Sequence, residues 1–300
     1  VFSEALFQLA ARRRISVTDG SALVTGLFLA MTLPPAFPLW GAAAGSCIAI
    51  IVAKQLFGGL GLNLFNPALS GRAFLFIFWS GSMRTAWNIT GAGNIPADKL
   101  TWYGTIPQQA MDIITGTLPG EGMYNTGTVI PWFSESFTSF YDFMVGGNIL
   151  KALFAGNYGG LTGEAALVLV LAGGLFILWR GIITWHIPVS FISALSLSSY
   201  GFYIYTGSPS PGFITFIHVM SGSVIPAAFF MAADPVTSPL TGRGMFLFGA
   251  GCGILTFIIR VAGFYPEGAF WAILIMNAAV PLIDSITRPR VFGLSGNQKN

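Results

Sequence analysis

Apolar residues in this chain gather in long, nearly uncharged runs instead of lining one face of amphipathic helices. Runs of the length that crosses a bilayer, about 20 residues, predict spans at 20–34, 38–56, 66–82, 164–180, 183–204, 212–233, 244–262 and 267–287, with a partial helix at 1–11. Polar residues dominate only between 83 and 150. That interval is too long for an ordinary connection, and it is rich in Trp, Tyr and Thr, as suits a folded loop at a membrane interface. The pattern predicts an all-α polytopic membrane protein.

Two places break the apolar pattern at membrane depth. "GGLGLNLFNPALSGR" (58–72) and "MAADPVTSPLTGR" (231–243) both set Pro, Gly and polar side chains between apolar helices. Non-helical backbone survives there only against protein or a water-lined cavity. The two also share a spelling, "NPALSGRAFLF" against "SPLTGRGMFLF", which suggests an internal duplication with a broken segment in each half. The expected organisation is a first membrane repeat at 1–82, a loop region at 83–150 and a second repeat at 151–300. In transporters this pattern points to a site near the midplane, at the repeat interface; tight packing of small residues is the plainer alternative.

Composition agrees with the pattern. Of 300 residues, 54% are hydrophobic and 8% charged, where a soluble domain carries about 25% charged residues; the mean hydropathy is +0.71. The net charge of +3 comes from basic residues scattered among loops, so nucleic acid is not an expected partner, whereas lipid is. Arg12, Arg13 and Arg14 precede the first full span, and Arg288 and Arg290 follow the last. By the positive-inside rule both ends are then cytoplasmic and the 83–150 loop extracytoplasmic, with Lys54 and Arg243 fitting the cytoplasmic side less securely. The opening "VFSEALFQLAARRR" lacks an initiator Met and reads as the end of an apolar helix, as in a chain that begins part-way through a longer protein.

Candidate chemistry is sparse. Cys47 and Cys252 lie inside apolar runs and read as buried structural thiols. His186 and His218 lie in separate spans without ligand spacing, so no metal site is expected. Glu164, Asp234, Glu267 and Asp284 fall in or near the spans, where a central ionisable group costs at least ~2.5 kcal/mol and tends to be paired or functional. Helix capping is the bland role for Glu164 and Glu267. Asp234 divides evenly between a backbone cap and a cavity lining, and Asp284 suits a pairing with a nearby Arg. In the polar loop, "MDIITGTLPG" (111–120) presents Asp112, Thr115, Gly116 and Thr117 together. An ordinary turn closed by side-chain to backbone hydrogen bonds would explain it; a hydroxyl presented for attachment would also.

Longer stretches favour the second account. "DGSALVTGLFLAMTLPP" (19–35), "IVAKQLFGGLGLNLFNPAL" (51–69), "WHIPVSF" (185–191), "AADPVTSPLTGRG" (232–244) and "YPEGAFWAILIMNAAVPLID" (265–284) resemble the D subunit of the Rnf complex. They resemble less closely the B subunit of the sodium-pumping NADH:quinone oxidoreductase. The resemblance implies a ten-helix subunit of two similar halves, urea-transporter-like in architecture and inverted relative to one another. It implies flavin mononucleotide (FMN) held covalently on a threonine of the central extracytoplasmic loop, in a motif like "DAVTGATPL". It also implies partner subunits carrying iron–sulfur clusters and flavin, in a prokaryotic cytoplasmic membrane. Electrons would pass between ferredoxin and NAD, or from NADH to quinone in the sister complex, coupled to sodium or proton translocation.

This chain departs from that motif. Aligned without a gap, Asp112, Thr115 and Gly116 match, but Leu118 falls on the flavin-bearing position and has no hydroxyl. A one-residue deletion makes Thr117 the acceptor; loss of the covalent flavin is the competing expectation. In the sister family the segment matched here by Gly58, Gly59, Asn63, Asn66 and Pro67 is associated with quinone access, with riboflavin between helices. A bare channel on the same scaffold is the runner-up, and a redox-inactive scaffold the third reading.

Overall fold

A computed structural model describes residues 1–34, 36–85, 167–206, 211–220, 223–262 and 268–288. Among them every regular element is helical. The first half holds α1 (Phe2–Ala10), α2 (Ser21–Met31), α3 (Leu39–Ile50), α4 (Pro67–Phe78) and the short α5 (Ser80–Thr85). The second half holds α6 (Leu167–Trp179), α7 (His186–Tyr205), α8 (Pro211–Met220), α9 (Val224–Pro226), α10 (Gly242–Ala262) and α11 (Gly268–Thr287). Two helices end in π-helical turns, α3 in Ile51–Gln55 and α9 in Ala227–Met231. Both turns stand immediately before the broken segments.

The predicted spans exist, but they are not uniform. Among the described residues only α7, α10 and α11 are long and apolar enough to cross a membrane unaided. The single span expected over 212–233 is bent by 57° between α8 and α9, and that expected over 66–82 is divided at Trp79, whose backbone leaves the helical region (φ −128°, ψ 44°) between α4 and α5. The other apolar helices run for 10–17 residues. α3 and α4 stop short where the non-helical residues between Gln55 and Pro67 take over.

Packing differs from helix to helix. Close approach of α3 and α4 needs glycine: a Cβ on Gly71 would lie 2.7 Å from the Gly45 carbonyl oxygen. The same holds for α7 and α10, where a Cβ on Gly249 would meet the Ile187 carbonyl oxygen at 2.7 Å and one on Gly253 the Leu195 nitrogen at 2.8 Å. Small residues let helix backbones touch where lipid supplies no hydrophobic drive between helices. A small core joins Leu29, Leu33, Phe37, Ala68, Leu75 and Met83 in the first half. A larger one runs through the second half around Phe191, Leu195, Phe248 and Ile273, and it takes in Leu69 of α4. The halves are therefore packed through α4. Cys252 is buried as expected, but Cys47 lies on the exposed face of α3, opposite the glycine face that meets α4.

A candidate site where two broken segments meet

The first broken segment begins as a turn that only glycine adopts easily. Gly58, Gly59 and Gly61 have φ of +122°, +108° and +90°, a region where a Cβ is strained. The Gly58 and Gly59 amides donate to the Gln55 and Lys54 carbonyls at 3.1 Å each, closing the π-helical turn. Asn63 is buried and its Nδ2 donates to the Phe65 carbonyl at 3.3 Å. Asn66 caps α4: its Oδ1 accepts from the Ala68 and Leu69 amides at 3.1 and 3.3 Å, ahead of Pro67 at the first helical position. Asn at the cap and Pro just inside the helix are the preferred residues there.

The second segment folds on its own side chains. Asp234 accepts from the Val236 amide at 3.1 Å and from the Thr237 hydroxyl at 3.3 Å, so its role is the backbone cap. Asp284 accepts from the Leu240 amide at 3.2 Å, and Thr241 donates to Thr287 at 2.8 Å, which ties the segment to the end of α11. Among the described residues, the partner of the Asp284 carboxylate is this backbone amide. The second segment contains bare amides that need an acceptor, and a carboxylate meets that need without a second charge.

The two segments join at buried amides. Asn66 Nδ2 donates to the Met231 carbonyl at 3.3 Å, at the end of the second π-helical turn. Asn277 of α11 is wholly buried; its amide donates to the Thr237 carbonyl at 3.1 Å and accepts from the Asn66 amide nitrogen at 3.0 Å. Asn277 is the tenth residue of α11, so the joint lies about 14 Å from either end of that helix at 1.5 Å per residue. Beside it Arg72 of α4 sits over the Phe270 ring of α11 at 4.4 Å. Polar backbone is thus carried to mid-depth with its hydrogen bonds made inside the protein, as the bilayer requires. What the residues there do is orient backbone and seal two halves together.

Of the predicted site residues, Gly58, Gly59, Asn63 and Asn66 are brought into one segment, and Asn66 alone reaches the other half. Asp112, Thr115, Gly116, Thr117 and Leu118 lie outside the described residues, as do Glu164 and Glu267. His218 hydrogen-bonds the Tyr203 hydroxyl through Nε2 at 3.1 Å, and its main-chain carbonyl accepts from Arg260 at 2.6 Å.

Sequence reasoning missed two groups. Asn277 was visible as a lone amide in the middle of an apolar helix, the kind of polar residue a membrane keeps for a reason. The other is a buried ion pair: Lys54 Nζ lies 2.7 Å from Glu4 Oε1, with the side chains 2% and 0% exposed. Gln55 Nε2 donates to the same oxygen at 2.7 Å. Lys54 also donates to the Ser21 hydroxyl, which donates to Asp19 Oδ1 at 2.6 Å. The Ser21 hydroxyl holds the Asp19 carboxyl below its usual range, out at the surface before α2. A Glu in an apolar helix and a Lys 50 residues on were the available signal; the orientation rule drew Lys54 toward water instead.

The family model described as "NQR2, RnfD, RnfE family" matches residues 1–293. The D subunit of a proton-translocating ferredoxin:NAD(+) oxidoreductase complex from Clostridium ljungdahlii is 37% identical over 297 residues, covering 98% of this chain and 80% of that protein. The D subunit of a Na(+)-translocating ferredoxin:NAD(+) oxidoreductase complex from Acetobacterium woodii is 36% identical over 305 residues, covering 100% and 81%. The D subunit of an ion-translocating oxidoreductase complex from Klebsiella pneumoniae is 38% identical over 288 residues, covering 93% and 79%. A family match along nearly the whole chain, with D subunits this similar in the same frame, means that the chain belongs to the NQR2, RnfD, RnfE family.

Proposed function

We propose that this chain is the D-type membrane subunit of an ion-translocating ferredoxin:NAD+ oxidoreductase complex, passing electrons by way of a flavin while the complex moves sodium or protons. The observation that carries this is the full-length similarity to D subunits of such complexes. One of those relatives is named for protons and the other for sodium, at nearly equal identity. Overall similarity therefore does not choose the ion.

D subunits of this kind are flavin-associated. The fit to FMN rests on donor chemistry: Thr117 supplies the hydroxyl a phosphoester needs, Leu118 does not, and Asp112, Thr115 and Gly116 stand at the motif's other positions. When bound, a flavin supplies reversible one- and two-electron chemistry. Thr117 anchors it, and Asp112 helps present that hydroxyl. The 58–66 segment, with Gly58, Gly59, Asn63 and Asn66, offers a place for riboflavin between helices. The body divides into membrane repeats at 1–82 and 151–300 around an extracytoplasmic loop region at 83–150. It lies in the cytoplasmic membrane of a prokaryote with both termini inside, among iron–sulfur and flavin subunits.

The test is ferredoxin-dependent NAD+ reduction in membrane vesicles from cells that carry the complex with and without this subunit. Activity that disappears with the subunit, returns with the gene and responds to sodium supports a sodium-coupled role; activity that returns but ignores sodium supports protons. Activity indifferent to the subunit would end the proposal.

A further inference from the structure

We propose that Glu4 and Lys54 work as a positioning pair for the glycine turn, setting the path of the 58–66 segment that carries Asn63 and Asn66 to mid-depth. Two consecutive residues, Lys54 and Gln55, bring their side chains to one carboxylate oxygen of Glu4 at 2.7 Å each. The wider i→i+5 winding of the π-helical turn turns neighbouring residues closer to one face than an α-helix does. The carbonyls of the same two residues receive the Gly59 and Gly58 amides, and the Gln55 carbonyl also accepts from Arg13 Nη1 at 3.0 Å. The side chains that bind Glu4 thus belong to the residues on which the turn is hung. Gln8, one turn along α1, closes the arrangement by accepting from the Ser16 amide and donating to its hydroxyl, both at 2.9 Å.

A buried pair is a costly way to hold two helices, since apolar residues of like shape often do as well. Its use is in fixing direction. Removing one partner leaves an uncompensated charge in an apolar setting, whereas removing both does not. The rival account starts from Glu4 Oε2, which is buried and makes no hydrogen bond: there Glu4 would receive the transported cation, and Lys54 would be incidental.

Glu4→Gln, Lys54→Met and the double variant separate the two, measured in the assembled complex in membrane vesicles. The turnover readout rests on the function proposed above; amide hydrogen exchange at Gly58 and Gly59 does not, so vesicles of the unaltered complex without ferredoxin-linked activity would sink that function and leave the exchange test intact. The pair account expects each single variant to lower turnover per assembled complex about tenfold and to speed exchange at both glycines. The double variant should recover to within about threefold of the unaltered complex in both readouts, because the two sites form one coupled unit. If the singles fail to assemble, a double variant that assembles supports the pair. A double variant as impaired as Glu4→Gln, in turnover or in assembly, overturns it, as do single variants with unchanged turnover.

Discussion

The two halves of this molecule hold themselves together by different means. In the first, short helices are tethered by polar groups: Glu4 to Lys54 and Gln55, Gln8 to Ser16, Arg13 to the Gln55 carbonyl. In the second, the long α7 and α10 are pressed together until Gly249 and Gly253 leave no room for a side chain, and one apolar core runs through the bundle. Lipid is as apolar as the helices, so association there rests on close packing and internal hydrogen bonds. Both halves use close packing, at Gly71 against Gly45 as at Gly249 and Gly253, and the first half adds a buried ion pair to it. The half with charged tethers is also the half whose turn carries three glycines at positive φ.

That contrast can be broken from either side. The largest effect belongs to the second half: Gly253→Val drives a branched side chain into backbone atoms that cannot move aside, which exceeds the usual overpacking cost of about 1–3 kcal/mol. The subunit should fail to accumulate in membranes, while Gly26→Ala, facing open space, should accumulate normally; quantitative blotting of membranes reads both. Next comes the joint between the halves. Asn277→Leu strands the Thr237 carbonyl and the Asn66 amide, at about 1–3 kcal/mol for buried polar groups left unpaired, and thermal unfolding of the detergent-solubilised subunit should shift down. Asn66→Ala should cost at least the about 1 kcal/mol of a lost N-cap, plus its bond to Met231. A loss in the same range, about 1–3 kcal/mol, follows from Tyr203→Phe, which leaves the buried His218 Nε2 without its hydroxyl partner.

The smallest effect is a titration in the first half. The Asp19 carboxyl is held below its usual range by the Ser21 hydroxyl. A depressed folded-state value means its contribution is complete above the ordinary carboxylate range, about pH 4, and is lost as the pH falls through the lowered value. Asp19→Asn should therefore weaken the subunit slightly at pH 7, and the difference should shrink as the pH falls below the ordinary carboxylate range, about pH 4; melting curves from neutral into acid pH would show it.

Much of this was legible in the sequence because bilayer thickness and apolar runs are tied by simple length. The helices fall where the runs predicted, and the two Pro- and Gly-bearing stretches leave the helix between Gln55 and Pro67 and between Met231 and Gly242, with α4 already begun over the last residues of the first stretch. What the runs could not reveal was interruption. Trp79 ends α4 just ahead of Ser80 and Gly81, and the bend between α8 and α9 falls inside a largely apolar stretch that carries Ser221, Gly222 and Ser223; a count of apolar length passes over such small residues. Nor could they pair distant polar residues: Glu4 and Lys54 are 50 positions apart, and each alone reads as an ordinary end-of-span charge. At the candidate site, "NPA" carried the cap of α4 openly. The partner of that cap, Asn277, is set by tertiary packing and had no local signature beyond its polarity.

The account turns on a redox centre esterified to this polypeptide. Digesting the protein from the purified complex and sequencing the peptide that spans 111–119 by tandem mass spectrometry tests it directly. The account predicts the mass of FMN less water on Thr117, absent after Thr117→Ala. An unmodified peptide, or the flavin on another residue, would contradict it.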